Sequence, residues 1–244
     1  MKALEQEFTC DNLTLRGILH LPDQKNPPLI IGSHGLEGSL HSAKQSQLAR
    51  LLPAHGMAFF RFDHRGCGKS QGNFITDTSL EKRTRDFLAA TAHAMGLGLT
   101  GKRLGIFGSS MGGATCINAW EGLSAMGLEP WGAVLCAAPV KSLTIENIPQ
   151  EATENRPALP LSFFEENLVF DLRPQACDLH HLLIFHGDAD EVVPLSNGQL
   201  LYKTAGEPKK LVVQKGCGHR MEAKADQEEF ENRTLNWFKN LFKA

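Results

Sequence analysis

Arg103-Leu104-Gly105-Ile106-Phe107-Gly108-Ser109-Ser110-Met111-Gly112-Gly113-Ala114-Thr115-Cys116-Ile117-Asn118-Ala119-Trp120 is the stretch that decides the fold. Its first five residues read as a short buried strand, and the run from Gly113 onward reads as the opening of a helix. Between them Gly108-Ser109-Ser110-Met111-Gly112 matches Gly-x-Ser-x-Gly, which puts a serine hydroxyl on a sharp strand-to-helix turn. Glycines at 108, 112 and 113 let the helix pack close to the strand and tolerate strained backbone angles, so Ser110 projects above a sheet instead of into it. A glycine-rich turn without chemistry is the competing reading of the five residues alone, and the flanking strand and helix weigh against it.

Outward from this turn, apolar strand-like runs alternate with helical patterns, the signature of a mostly parallel sheet covered by helices on both faces. Strands are expected at 29–31, 57–62, 131–136, 182–185 and 210–213, with helices over 43–55, 79–96 and 225–242. The opening departs from alternation: residues 2–10 and 13–21 read as two strands joined by Asp11-Asn12, too close for a crossover helix and therefore an antiparallel hairpin at one edge. Between Pro139 and Leu179 the alternation lapses, in a segment carrying Pro149, Pro157, Pro160, Phe163, Phe164 and Phe170. An insertion over 140–178 accounts for it, either as a lid whose apolar side chains wall a pocket or as a helical excursion over the sheet.

With 244 residues the chain can bury about 70–75% of its unfolded surface, which suits one domain over 1–244 better than two small ones. A net charge of −2 and 21% charged residues give no electrostatic case for nucleic acid or an anionic membrane as partner. The N-terminal residues lack an apolar targeting core and no apolar run approaches the roughly 20 residues of a membrane span, so the expected location is the cytoplasm. Six cysteines without a Cys-x-x-Cys pair indicate neither zinc nor a disulfide framework, and no cofactor is implied. Oligomeric state is not legible.

Ligands of open α/β sheets bind beyond the carboxyl ends of the strands, and the polar loops gather there. His186-Gly187-Asp188-Ala189-Asp190 follows one strand, and Gly216-Cys217-Gly218-His219 follows another. Serine, then aspartate, then histidine is the chain order of one hydrolase architecture. Two further motifs accompany it, His34-Gly35-Leu36 and Asp63-His64-Arg65-Gly66-Cys67-Gly68-Lys69-Ser70. Together these residues resemble the α/β-hydrolase family over essentially the whole chain, and are similar to small bacterial carboxylesterases, including cinnamoyl and feruloyl esterases, and to serine aminopeptidase-like hydrolases.

The resemblance implies an α/β-hydrolase fold with a mostly parallel central sheet, the N-terminal hairpin and a short lid. It implies Ser110 as nucleophile, His219 as general base and then acid, and Asp190 as the carboxylate orienting the imidazole. The family pattern His-Gly-x-x-Asp selects Asp190 over Asp188. Backbone N–H groups of Leu36 and Met111 would receive the oxyanion, and Gly35, Ser109, Phe163 and Phe164 would contact a small-molecule ester. Gly68-Lys69-Ser70 could also end a phosphate-binding loop, but the first glycine of that motif is replaced by Asp63, whose carboxylate repels phosphate. Amide or thioester cleavage by the same triad, and ligand binding without catalysis, remain as alternatives.

Overall fold

The computed structural model describes residues 1–147, 150–152 and 158–243. Asp11 and Asn12 both take left-handed backbone angles (φ 49° and 63°), the pair of positive values a two-residue hairpin turn requires. β1 (Lys2–Cys10) accordingly folds back on β2 (Leu13–Leu21) as an antiparallel edge pair. The remaining strands are β3 (Leu29–Ser33), β4 (Ala58–Phe62), β5 (Leu104–Ser109), β6 (Pro130–Cys136), β7 (Leu182–Gly187) and β8 (Lys209–Gln214). They pair in the order β1-β2-β4-β3-β5-β6-β7-β8, parallel from β4 through β8, with β2 joining β4 antiparallel.

Helices cover both faces, which is why the central strands are apolar runs instead of alternating ones. Successive residues still point to opposite sides. Ile30, Phe59, Phe107 and Phe185 enter one core with α1 (Ala43–Ala54) and the C-terminal helix Lys224–Leu241. Ile31, Phe60, Ile106 and Ile184 enter the other, against α2 (Phe74–Asp77), α3 (Leu80–Gly96) and α4 (Met111–Ala125).

Between β6 and β7 the chain leaves the sheet through a 3-10 turn at Ser142–Thr144, α5 (Leu161–Asn167) and α6 (Arg173–Ala176). Its two ends are tied together: Leu172 N–H donates to the Val140 carbonyl (2.8 Å), and Ser142 N–H to that of Phe170 (3.1 Å). Pro149 and Pro157 lie outside the described residues. A helix not anticipated from the sequence, α7 (Ser196–Thr204), joins β7 to β8; its leucines at 200 and 201 are adjacent and give no 3.6-residue stripe to detect. The C-terminal helix is α8. Among the described residues, no helix is long and apolar enough to cross a membrane. All six cysteines are free thiols.

Candidate active site

Three strands deliver the polar residues to one edge of the sheet, each from its carboxyl end. β5 ends at Ser109, and Ser110 follows at φ 54° and ψ −125°, a conformation that costs energy for any residue with a Cβ. The surroundings hold it there. Ser110 N–H donates to the Cys136 carbonyl (2.8 Å), while its own carbonyl accepts from Gly113 N–H (2.7 Å). Only glycine fits at 112, where a Cβ would lie 2.2 Å from the Ser33 carbonyl oxygen, and at 108, where it would lie 2.6 Å from that of Gly112.

β8 ends at Gln214, and the turn after it carries His219 to Ser110, with Nε2 3.0 Å from Oγ. The loop after β7 brings Asp190 to the other ring nitrogen, with Oδ2 2.8 Å and Oδ1 3.0 Å from Nδ1. An acceptor at Nδ1 fixes the proton there and leaves Nε2 free to accept from the Ser110 hydroxyl. The Asp190 side chain is fully buried. Burial alone would raise its pKa, but the hydrogen bond and charge of His219 and the N–H groups of Val193 (2.8 Å) and Val192 (3.0 Å) outweigh it, and the net shift is downward. His186, 3.6 Å from Asp190, is no rival cation: burial lowers its pKa, and its Nε2 donates to the Val193 carbonyl (2.8 Å).

Asp188 is exposed and caps the following turn, accepting from Gly216 N–H at 2.6 Å. The structure therefore brings Asp190, and not Asp188, to the histidine. One contact was not legible in the sequence: the Glu191 carboxylate accepts from His219 N–H (3.1 Å), fixing the histidine's backbone beside its side-chain partner.

The loop after β3 lies against the serine: a Cβ on Gly35 would be 3.4 Å from Ser110 Cβ. His34 braces this loop, with Nδ1 donating to the Gly35 carbonyl (2.7 Å) and Nε2 accepting from His64 N–H (3.2 Å). Its burial drives its pKa well down, so it stays neutral and can make both bonds. Arg83, on α3, donates from below to the carbonyls of His34 and Gly35. Met111 is the first residue of α4, where a helix leaves N–H groups without intrahelical acceptors. Ser109 is half-buried beside Gly35. Phe163 is only 3% exposed and stacks on Phe74 (5.9 Å), with Phe164 half-buried edge-on to it (5.2 Å).

The turn at 63–70 is structural. Asp63 accepts from the N–H groups of Leu40 (2.7 Å) and Lys69 (3.0 Å), so the place a phosphate would need is filled by a carboxylate. Cys217, two residues from His219, is 4% exposed and burial pushes its thiol up to about 11. A cavity of about 860 Å³ lined by Trp120, Trp131, His180, His181 and Trp237 opens at the opposite, amino-terminal ends of β6–β8 and takes no part in this arrangement. Among the described residues, no group of three or more His, Cys, Asp and Glu side chains is placed to hold a metal ion.

Residues 24–156, more than half of the chain, match the family described as Serine aminopeptidase, S33 (Hydrolase_4). The protein YfhR of Escherichia coli (strain K12) is 29% identical over 218 residues, which cover 85% of this chain and 70% of that protein. The monoacylglycerol lipase of Mycolicibacterium smegmatis is 23% identical over 254 residues, covering 88% and 89%. Among solved structures, Est1E from Butyrivibrio proteoclasticus with ferulic acid bound superposes with a TM-score of 0.82 at 23% identity, covering 98% of this chain and 100% of that one. The family match spans the His34 loop and the Ser110 turn and stops short of Asp190 and His219, whose placement rests on the geometry above.

Proposed function

Because this chain belongs to the serine aminopeptidase, S33 family (Hydrolase_4) and has the α/β-hydrolase fold, we propose that it hydrolyses carboxylic esters through an acyl-serine intermediate. The observation carrying this reading is the unbroken hydrogen-bond chain from Ser110 Oγ through His219 to buried Asp190. A serine hydroxyl is a poor nucleophile until a base takes its proton, and this chain supplies the base together with the group that orients it.

In this reading Ser110 Oγ attacks the ester carbonyl carbon as its proton passes to His219 Nε2, and Asp190 stabilises the imidazolium. The tetrahedral oxyanion is received by the N–H groups of Leu36 and Met111. Collapse breaks the bond to the alcohol oxygen, which leaves with the proton from His219. Water then attacks the acyl-serine, giving its proton to His219, and the acid departs as the Ser110 hydroxyl re-forms. Gly35 and Ser109, which lie against Ser110, and the half-buried Phe164 are the proposed substrate contacts, while Phe163 packs in the core against Phe74 and supports Phe164; residues 140–178 are the proposed lid within a single domain. The ester preference is supported by the likeness to monoacylglycerol lipase and by the half-buried apolar Leu36, next to the Gly35 that lies against Ser110.

The test is hydrolysis of p-nitrophenyl esters from acetyl to long acyl, with an aryl-acid ester and an aminoacyl anilide alongside, by wild type and Ser110→Ala. Serine-dependent ester turnover is expected. An unchanged rate in Ser110→Ala refutes the mechanism, and turnover of the anilide alone refutes the ester assignment.

A further inference from the structure

Arg83 is 1% exposed, and its position in the core is not explained by an ion pair. Asp86, one turn further along α3, is spent on Arg65, whose Nη2 and Nε lie 2.7 and 2.8 Å from one carboxylate oxygen and whose N–H lies 3.0 Å from the other. The Cys67 thiol beside Arg83 is pushed up to about 11 by burial and is therefore neutral. Among the described residues Arg83 Nε and Nη1 meet no oxygen or nitrogen acceptor, and the guanidinium's side-chain partner is the uncharged Cys67 thiol. A buried guanidinium without its own carboxylate is costly, and a hydrophobic side chain of similar volume would ordinarily serve stability better. Its bonds to oxygen run from Nη2 to the carbonyls of His34 and Gly35.

The Gly35 carbonyl is held from three directions, by His34 Nδ1 (2.7 Å), Gly38 N–H (3.2 Å) and Arg83 Nη2 (3.4 Å). A trans peptide points its N–H opposite its C=O, so fixing the Gly35 oxygen fixes the direction of the Leu36 N–H. The same loop backs onto the Ser110 turn, since a Cβ on Gly112 would lie 2.6 Å from the His34 carbonyl oxygen. We propose that Arg83 is a positioning residue for the oxyanion site: anchored on the His34 and Gly35 carbonyls, it holds the Gly35–Leu36 peptide with its N–H aimed at the developing oxyanion, without touching substrate. This rests on the roles proposed above for Ser110 and Leu36. Donors fixed before the reaction need no reorganisation when charge develops, which is where such sites gain their rate.

The experiment compares Arg83→Met, Arg83→Lys and Ser110→Ala with wild type in kcat and KM on the best p-nitrophenyl ester. It also compares affinity for an aryl boronic acid, which forms an anionic tetrahedral adduct on the serine, and for the carboxylate product. Losing one oxyanion donor costs about 10²–10³ in rate, and misaiming one should cost part of that, roughly 10–100-fold in kcat for Arg83→Met. KM and product affinity should stay near wild type, boronic acid affinity should fall with kcat, and Arg83→Lys, which keeps a charged donor, should recover part of the loss. If Arg83→Met does not fold, Arg83→Lys carries the test with a smaller loss of the same pattern. A folded variant with wild-type kcat, a loss confined to KM, or boronic acid binding unchanged while kcat falls would each overturn the proposal. Activity surviving in Ser110→Ala would instead overturn the hydrolytic reading beneath it.

Discussion

Lowering the pH from 7 to 5 should destabilise this protein through His64, which sits under the Ser33–Gly35 loop. His64 is fully buried, with Nε2 2.9 Å from Ser33 Oγ, Nδ1 3.5 Å from Asp86, and Arg65, Arg83 and His34 around it. Burial, reinforced by the Arg83 charge, depresses its pKa from 6.5 to about 3, against the pull of Asp86. A base with a depressed folded pKa is protonated first in the unfolded chain, so the neutral native form loses ground as pH falls below 6.5 and continues to do so until about 3. At pH 5 the unfolded chain holds nearly one more proton at this position, a slope of about 1.4 kcal/mol per pH unit, and the loss between pH 7 and pH 5 is about 2 kcal/mol. That is a sizeable part of a total stability of roughly 5–15 kcal/mol. Asp86 does not offset it, because it stays ionised until about pH 2. His34 acts in the same direction. Urea unfolding followed by tryptophan fluorescence at pH 7, 6 and 5, for wild type and His64→Gln, isolates the effect. The variant starts less stable, but its dependence on pH should be shallower by about one proton. Parallel pH dependences in the two proteins would refute the assignment of a neutral buried imidazole.

Asp190→Asn should lower kcat by about 10⁴, by analogy with the same change in another triad enzyme, because the amide presents the wrong partner to His219 Nδ1. Asp188→Asn, which touches only the Gly216 turn, should keep a near wild-type rate in the same ester assay; equal losses in the two variants would contradict the geometry. Gly112→Ala should destabilise by about 1–3 kcal/mol or more and abolish turnover, since its Cβ would meet the Ser33 carbonyl. Gly96→Ala, at the end of α3 with open space around it, should raise stability by about 0.5–1 kcal/mol, both read from denaturant midpoints. Of the six thiols, exposed Cys177 alone should react rapidly with a disulfide reagent at pH 8, and its modification should leave turnover intact; rapid loss of activity through Cys217 would show that its burial is misjudged.

The sequence by itself determined the local features, because they depend on neighbours within a few residues. Asp11-Asn12 made the hairpin, strand boundaries fell within one or two residues of those observed, and Gly108 to Gly113 defined the turn that presents Ser110. It also marked His219 and both aspartates as candidates, because loops after parallel strands converge on one edge. Choosing between Asp188 and Asp190 was a matter of motif until the loop was folded, where one carboxylate caps a turn and the other reaches the imidazole. Arg83 was missed because a charged residue in a helix reads as solvated, although it falls with Leu80, Thr84 and Phe87 on the spacing of the buried stripe of α3. Whether a cation on that stripe meets a carboxylate, water or two carbonyls is decided by a loop about fifty residues away in the chain (|i−j| 48 and 49), and separations of that kind are set by packing alone.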